Sequence, residues 1–196
     1  MKSRHNSFLK YIACCCLFLM STDVNAQTFT FESKSSPDLD FTFNTIDKYV
    51  NGITLSHALD LNINAIGGEW DLYIGATTTA AGSFNVISSY SNTGITPPPV
   101  SLIQARVYNS NNTPVSGSGF FPLTDVASPV YIIGSNANDP TVNCGDAVPT
   151  GTNAPGDYLA DPECYKMRVD LKLVPGLSFR PGLYTLRIDF IVIADL

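Results

Sequence analysis

The chain has 196 residues, a formal net charge of −6 and only 14 % charged residues. That acidic balance, with no basic stripe, argues against nucleic acid and anionic membrane lipid as partners. Gly, Pro, Ser, Thr and Asn are plentiful, a composition that suits many strands joined by turns and does not suit a helical bundle.

The first element is an apolar run, Phe8 to Met20, broken only by Lys10, preceded by Lys2 and Arg4 and followed by Val24-Asn25-Ala26. Basic flank, short apolar run and small residues in that order predict a signal peptide over residues 1–26, cleaved after Ala26. A membrane anchor would want about 20 consecutive apolar residues, and the clean run from Tyr11 to Met20 is too short. Ile12-Ala13-Cys14 loosely resembles a lipoprotein acylation site, but Lys10 leaves little apolar segment ahead of it. The expectation is a product secreted or held at the cell surface (periplasm or extracellular), beginning near Gln27, with no membrane insertion after processing. Residues 27–196 are long enough for one domain with a sizeable core.

Downstream, alternation sets the elements. Residues 28–32 alternate Thr and Phe, and strands are expected at 39–43, 59–66 and 70–76, where Trp70, Leu72 and Ile74 share one face. Trp70 is assigned as a core anchor between sheets. Residues 84–87, 100–108 and Val130–Ile133 follow as candidates, with Pro97-Pro98-Pro99 as a sheet-to-sheet crossover. Residues 56–62 offer the one place for a short helical turn. Asp40 to Ile46 echoes Asp60 to Ile66, as two neighbouring strands under one alternation rule would. In residues 165–173 every second position is apolar and the others are charged, a half-buried strand with one wet face. Residues 183–194 read as a further strand that either pairs with it or bridges two sheets, and Ile191 and Ile193 suggest cover on both sides of its far end. Strands at this spacing without an amphipathic helix predict an all-β, antiparallel sandwich.

Two cysteines remain after processing, Cys144 and Cys164, and in an oxidising compartment an even pair is most simply a disulfide. The Pro- and Gly-rich loop between them has little to fold on, which suits a covalent staple. A zinc site needs four ligands, and the only mature histidine, His57, is distant in sequence.

Catalytic patterns are nearly missing. His57 is expected in a turn as a solvated or capping residue, no Gly-x-Ser-x-Gly elbow occurs, and Glu69 and Asp71 form a charged face rather than a sugar-straddling pair. No catalytic residue, metal ligand or cofactor is assigned. The oxygen-bearing loop residues Asn136, Asn138, Asp139, Asp146, Asp157, Asp161 and Glu163 keep calcium open as a ligand, although their spacing matches no defined calcium loop. Tyr158, Asp157 and Asp161 are the candidate ligand-binding residues of the stapled region. Tyr49, Tyr73, Tyr90, Tyr108 and Tyr131 are further aromatics that a glycan could use if exposed.

The 39–41 strand Leu-Asp-Phe, the run Gly68-Glu69-Trp70-Asp71-Leu72-Tyr73-Ile74 and the closing Pro181-Gly182-Leu183-Tyr184-Thr185-Leu186-Arg187-Ile188-Asp189-Phe190 carry a resemblance. On them the chain resembles secreted bacterial sandwich domains of the fimbrial and spore-coat protein U type. Trp70-Asp71-Leu72 also looks like the Trp-x-Leu signature of cell-wall-binding surface domains, whose second, C-terminal motif is replaced here by Ile191-Val192-Ile193. The resemblance implies an immunoglobulin-like surface or pilus-like subunit that is not an enzyme. Its partners would be other copies of itself or surface proteins. A carbohydrate- or wall-binding module, with glycans as partners, is the alternative. Residues 28–31 could pair with an open sheet edge of a neighbouring copy, or simply open their own sheet.

Overall fold

The computed structural model describes residues 28–35, 39–68, 70–110, 112, 115, 119–133 and 155–194. The expected signal peptide, Cys144, and the loop positions Asn136, Asn138, Asp139 and Asp146 lie outside the described residues.

The chain forms an all-β, antiparallel sandwich. In the larger sheet, β1 (Thr28–Ser35) pairs with β2 (Ile53–Ile66), placing Thr28 opposite Ile66 and Ser35 opposite Leu59. The other edge of β2 takes β9 (Lys166–Leu173), which in turn pairs with β5 (Ile103–Asn109) and through it with β6 (Phe121–Pro122). A two-residue strand, β8 (Gly156–Asp157), meets β2 just past the point where β9 begins. The second layer has β3 (Trp70–Thr77) between β7 (Val130–Ile133) and β11 (Arg187–Ala194), and β4 (Asn85–Ser89) paired with β10 (Gly182–Thr185).

Period-two alternation builds the core. Leu61, Ile63 and Ala65 of β2 and Leu72, Ile74 and Ala76 of β3 are fully buried, with Trp70 beside them. Trp70 is 1 % exposed and contacts Tyr165 at 5.7 Å between ring centroids. Burying side chains of this size contributes roughly 1.5–3 kcal/mol each.

One flank of the sandwich is closed by a segment that changes layers. Leu123 donates its N–H to Ile103 in the larger sheet (2.9 Å), and Ala76 of β3 donates to Thr124 (2.8 Å) and accepts from Val126 (2.9 Å). Gly75 permits this approach, because a Cβ there would lie 2.8 Å from the Val126 Cα. On the opposite flank β1 and β11 are outermost in their sheets, and Phe31 reaches Phe190 across them at 6.2 Å.

Several local expectations are corrected. Residues 39–43 are irregular and pair with no strand; they lead into α1 (Ile46–Asn51), capped by Thr45, whose Oγ1 accepts from the Lys48 N–H. The echo between residues 40–46 and 60–66 therefore reflects shared alternation and no shared structure. The helical turn expected at 56–62 is instead a bulge in β2, where the register slips between Leu55 and Leu59 and His57 takes φ 55°. Residues 183–194 do not form one strand. The chain breaks at Leu186 and changes partner from β4 to β3. β9 and β11 lie in different layers, so they bridge the sheets and make no hairpin. Ile193 is 48 % exposed, so the far end of β11 is not covered on both sides. The wet face of β9 is also drier than expected, since Asp170 is only 3 % exposed.

Candidate functional site

Because residues 39–43 lie across the sandwich without joining a sheet, an apolar cavity of about 670 Å³ remains between the layers. Its floor is Leu59, Ile103, Leu171 and Leu173 from the larger sheet. Leu186, Ile188 and Phe190 form the opposite wall, and Phe41 and Phe43 border it from the irregular segment. The size falls within the roughly 300–1,000 Å³ of small-molecule sites, which are mainly apolar with few placed polar groups.

Arg180 is the polar group that stands out on this lining. Gly94, at φ 97°, packs against the Arg180 backbone so closely that a Cβ there would lie 2.8 Å from the Arg180 amide nitrogen. That close approach brings Ile95 beside Phe179, and Ile95 O accepts the Arg180 N–H at 2.9 Å. Tyr184 Oη donates to Arg180 O at 2.6 Å, fixing the turn before β10. The half-buried guanidinium donates once, to Asn92 O at a long 3.3 Å, and its buried Nε has no hydrogen-bond partner. Among the described residues the ion pairs are His57–Asp60, Arg106–Asp170 and Arg187–Asp189. Arg187 also borders the cavity but is neutralised by Asp189 at 2.7 Å. Arg180 thus places a guanidinium without an ion pair among the described residues at the edge of an apolar space, half in water.

The residues singled out from sequence are distributed differently. Asp157 Oδ1 accepts from the backbone of Leu159 and Ala160 at 2.7 and 2.8 Å, so its carboxylate holds a turn. Asp161 occupies the N-cap position of α2 (Pro162–Tyr165), and its carbonyl accepts from Cys164 and Tyr165. Tyr158 is half-buried against the core, and its N–H donates to Ile63 O at 3.0 Å. Cys164 is buried within α2. No group of three or more His, Cys, Asp or Glu able to hold a metal ion occurs among the described residues. His57 is exposed in the β2 bulge, its Nε2 2.6 Å from Asp60 Oδ1.

The other tyrosines are mostly engaged. Tyr73 stacks edge-on to Tyr131 at 4.3 Å, and Tyr49 lies 5.4 Å from Phe43. Burial raises the Tyr73 phenol far above its ordinary range, and its bond with Tyr131 and the Asp71 charge push the same way. Tyr108 lies beneath the Arg106 and Arg168 guanidinium groups, while Tyr90 is 71 % exposed.

Sequence reading missed the cavity and Arg180. Phe41 and Phe43 alternate as a strand would, and Arg180-Pro181-Gly182 reads as a turn. The one available signal was an arginine between Phe179 and a Pro-Gly pair, with no acidic residue within several positions. No protein-family model matches the chain, and comparison with characterised proteins finds no significant relative.

Proposed function

We propose that this protein is a secreted, non-enzymatic structural or adhesive surface protein that works as a pilus-like or coat subunit. The observation that carries this reading is the flank where, among the described residues, β1 and β11 are both outermost strands. An outermost strand leaves one row of backbone donors and acceptors available, a template for another chain. β11 has few of the charges that usually blunt such an edge: beyond Asp189 it runs Phe190-Ile191-Val192-Ile193, with Ile193 half-exposed. Removal of residues 1–26 and a Cys144–Cys164 disulfide belong to the same proposal.

Two variants of the purified protein test it. Wild type should associate in a concentration-dependent manner by light scattering, and Ile193→Lys should disperse it without lowering the melting temperature. Deletion of residues 27–35 then separates two modes of assembly. Loss of association with intact folding supports exchange of β1 between copies, whereas loss of stability marks β1 as a strand of its own sheet. A wild type that stays monomeric at high concentration would refute the subunit role.

A further inference from the structure

The intersheet cavity and the unpaired guanidinium on its lining together specify a ligand class. We propose that the cavity binds a single-chain amphiphile with a carboxylate head, its alkyl tail between the sheets and its head at Arg180.

Three features favour this occupant. The floor and opposite wall are aliphatic and aromatic, so a hydrocarbon tail gains from transfer and needs no polar partner. A peptide strand would need backbone partners, and the floor strands β2 and β9 are each already paired on both sides. Arg180 is half-buried, at the boundary between cavity and solvent, where a head group would sit as the tail enters. A guanidinium offers a carboxylate two parallel N–H donors, and Arg180 spends only one donor on a long bond. Asp40 is exposed on the cavity's rim and repels an anion, but Arg187 cannot offset it because Asp189 already holds that charge. Head-group attraction therefore falls to Arg180.

Calorimetric titration of the purified protein with octanoate, decanoate and dodecanoate, each below its micelle concentration, gives the first test. Affinity should rise about fifteenfold for each two-methylene step until the cavity is full. Dodecanol, with the same tail and no charge, should bind more weakly. Arg180→Gln should lower dodecanoate to the affinity of dodecanol and leave dodecanol unchanged. Leu186→Trp should fill the cavity and abolish binding of both. The proposal is overturned by absence of dodecanoate binding to folded protein, by an affinity independent of chain length, or by equal affinity for acid and alcohol in the wild type. The chain-length series uses no variant, so it decides the matter even if Leu186→Trp fails to fold. Light scattering on the same samples distinguishes this site from the assembly edge, since ligand binding should persist in Ile193→Lys.

Discussion

Replacing Asp170 by alanine removes the acceptor of two hydrogen bonds that join three strands. Asp170 Oδ2 accepts from Arg106 Nη2 across the β9–β5 ladder at 2.9 Å, and Oδ1 accepts the His57 N–H from the β2 bulge at 2.8 Å. A hydrogen bond to a charged group contributes about 1.5–3 kcal/mol, and two such bonds would give about 3–6 kcal/mol. The Arg106 side chain is 28 % exposed and lies over Tyr108 and Phe120 at 4.8 and 4.4 Å, so it can rehydrate when released. That exposure places the cost near the lower end, about 3 kcal/mol. For a domain of this size the melting temperature should fall by about 6–12 °C. Asp170→Asn keeps an oxygen for the His57 N–H but sets an amide NH2 against the Arg106 donor, losing that one bond and the charge, so it should cost about half as much. Thermal and urea unfolding followed by circular dichroism measures both. The reasoning fails if Asp170→Ala lies within about 0.5 kcal/mol of wild type, the range of ordinary surface changes, or if Asn proves as damaging as Ala.

Trp70→Ala should cost about 3–5 kcal/mol in urea unfolding, through lost transfer and the cavity left beside Tyr165; a loss below 1 kcal/mol would deny it a core role. The Tyr165 phenol is raised from its ordinary 10.0, chiefly by burial and then by the Asp161 charge, with a bond to Trp70 opposing and Asp157 adding. The folded chain thus keeps a proton that the unfolded chain releases, so stability is full below pH 10 and falls as pH climbs above it. Urea midpoints across that range should drop less steeply in Tyr165→Phe, and an unchanged slope would contradict the account. If the proposed Cys144–Cys164 bond exists, reduction should lower stability by roughly 3 kcal/mol, as the entropy of a loop of that length implies; ready alkylation of both thiols in folded, unreduced protein would exclude it.

The layer architecture was legible because strands announce themselves by alternation, as Leu61-Ile63-Ala65 and Trp70-Leu72-Ile74 do. Pairing register was not, and the misreadings share that origin. Phe41 and Phe43 have the spacing of a strand, yet the segment pairs with none of the described strands and leaves a hollow. Asp170 looks solvated in a run of alternating charges, yet Arg106 faces it across the ladder and a bulged amide reaches it from the other side. Arg180 looks like turn punctuation until Ile95, far away in the chain, is seen to hold its backbone. In each case the deciding neighbour is remote in sequence.

The order in which strands pair also governs when this fold can assemble. β2 waits for β9, more than a hundred residues later, and β3 waits for β11, which closes the described chain. The larger sheet gains its central pairing only when β9 is made, and β3 its second neighbour only with β11. Such distant closures make nucleation entropically slow. The β1–β2 pair can form early from neighbouring segments, whereas closure of the two layers around their shared core waits for the C-terminal strands.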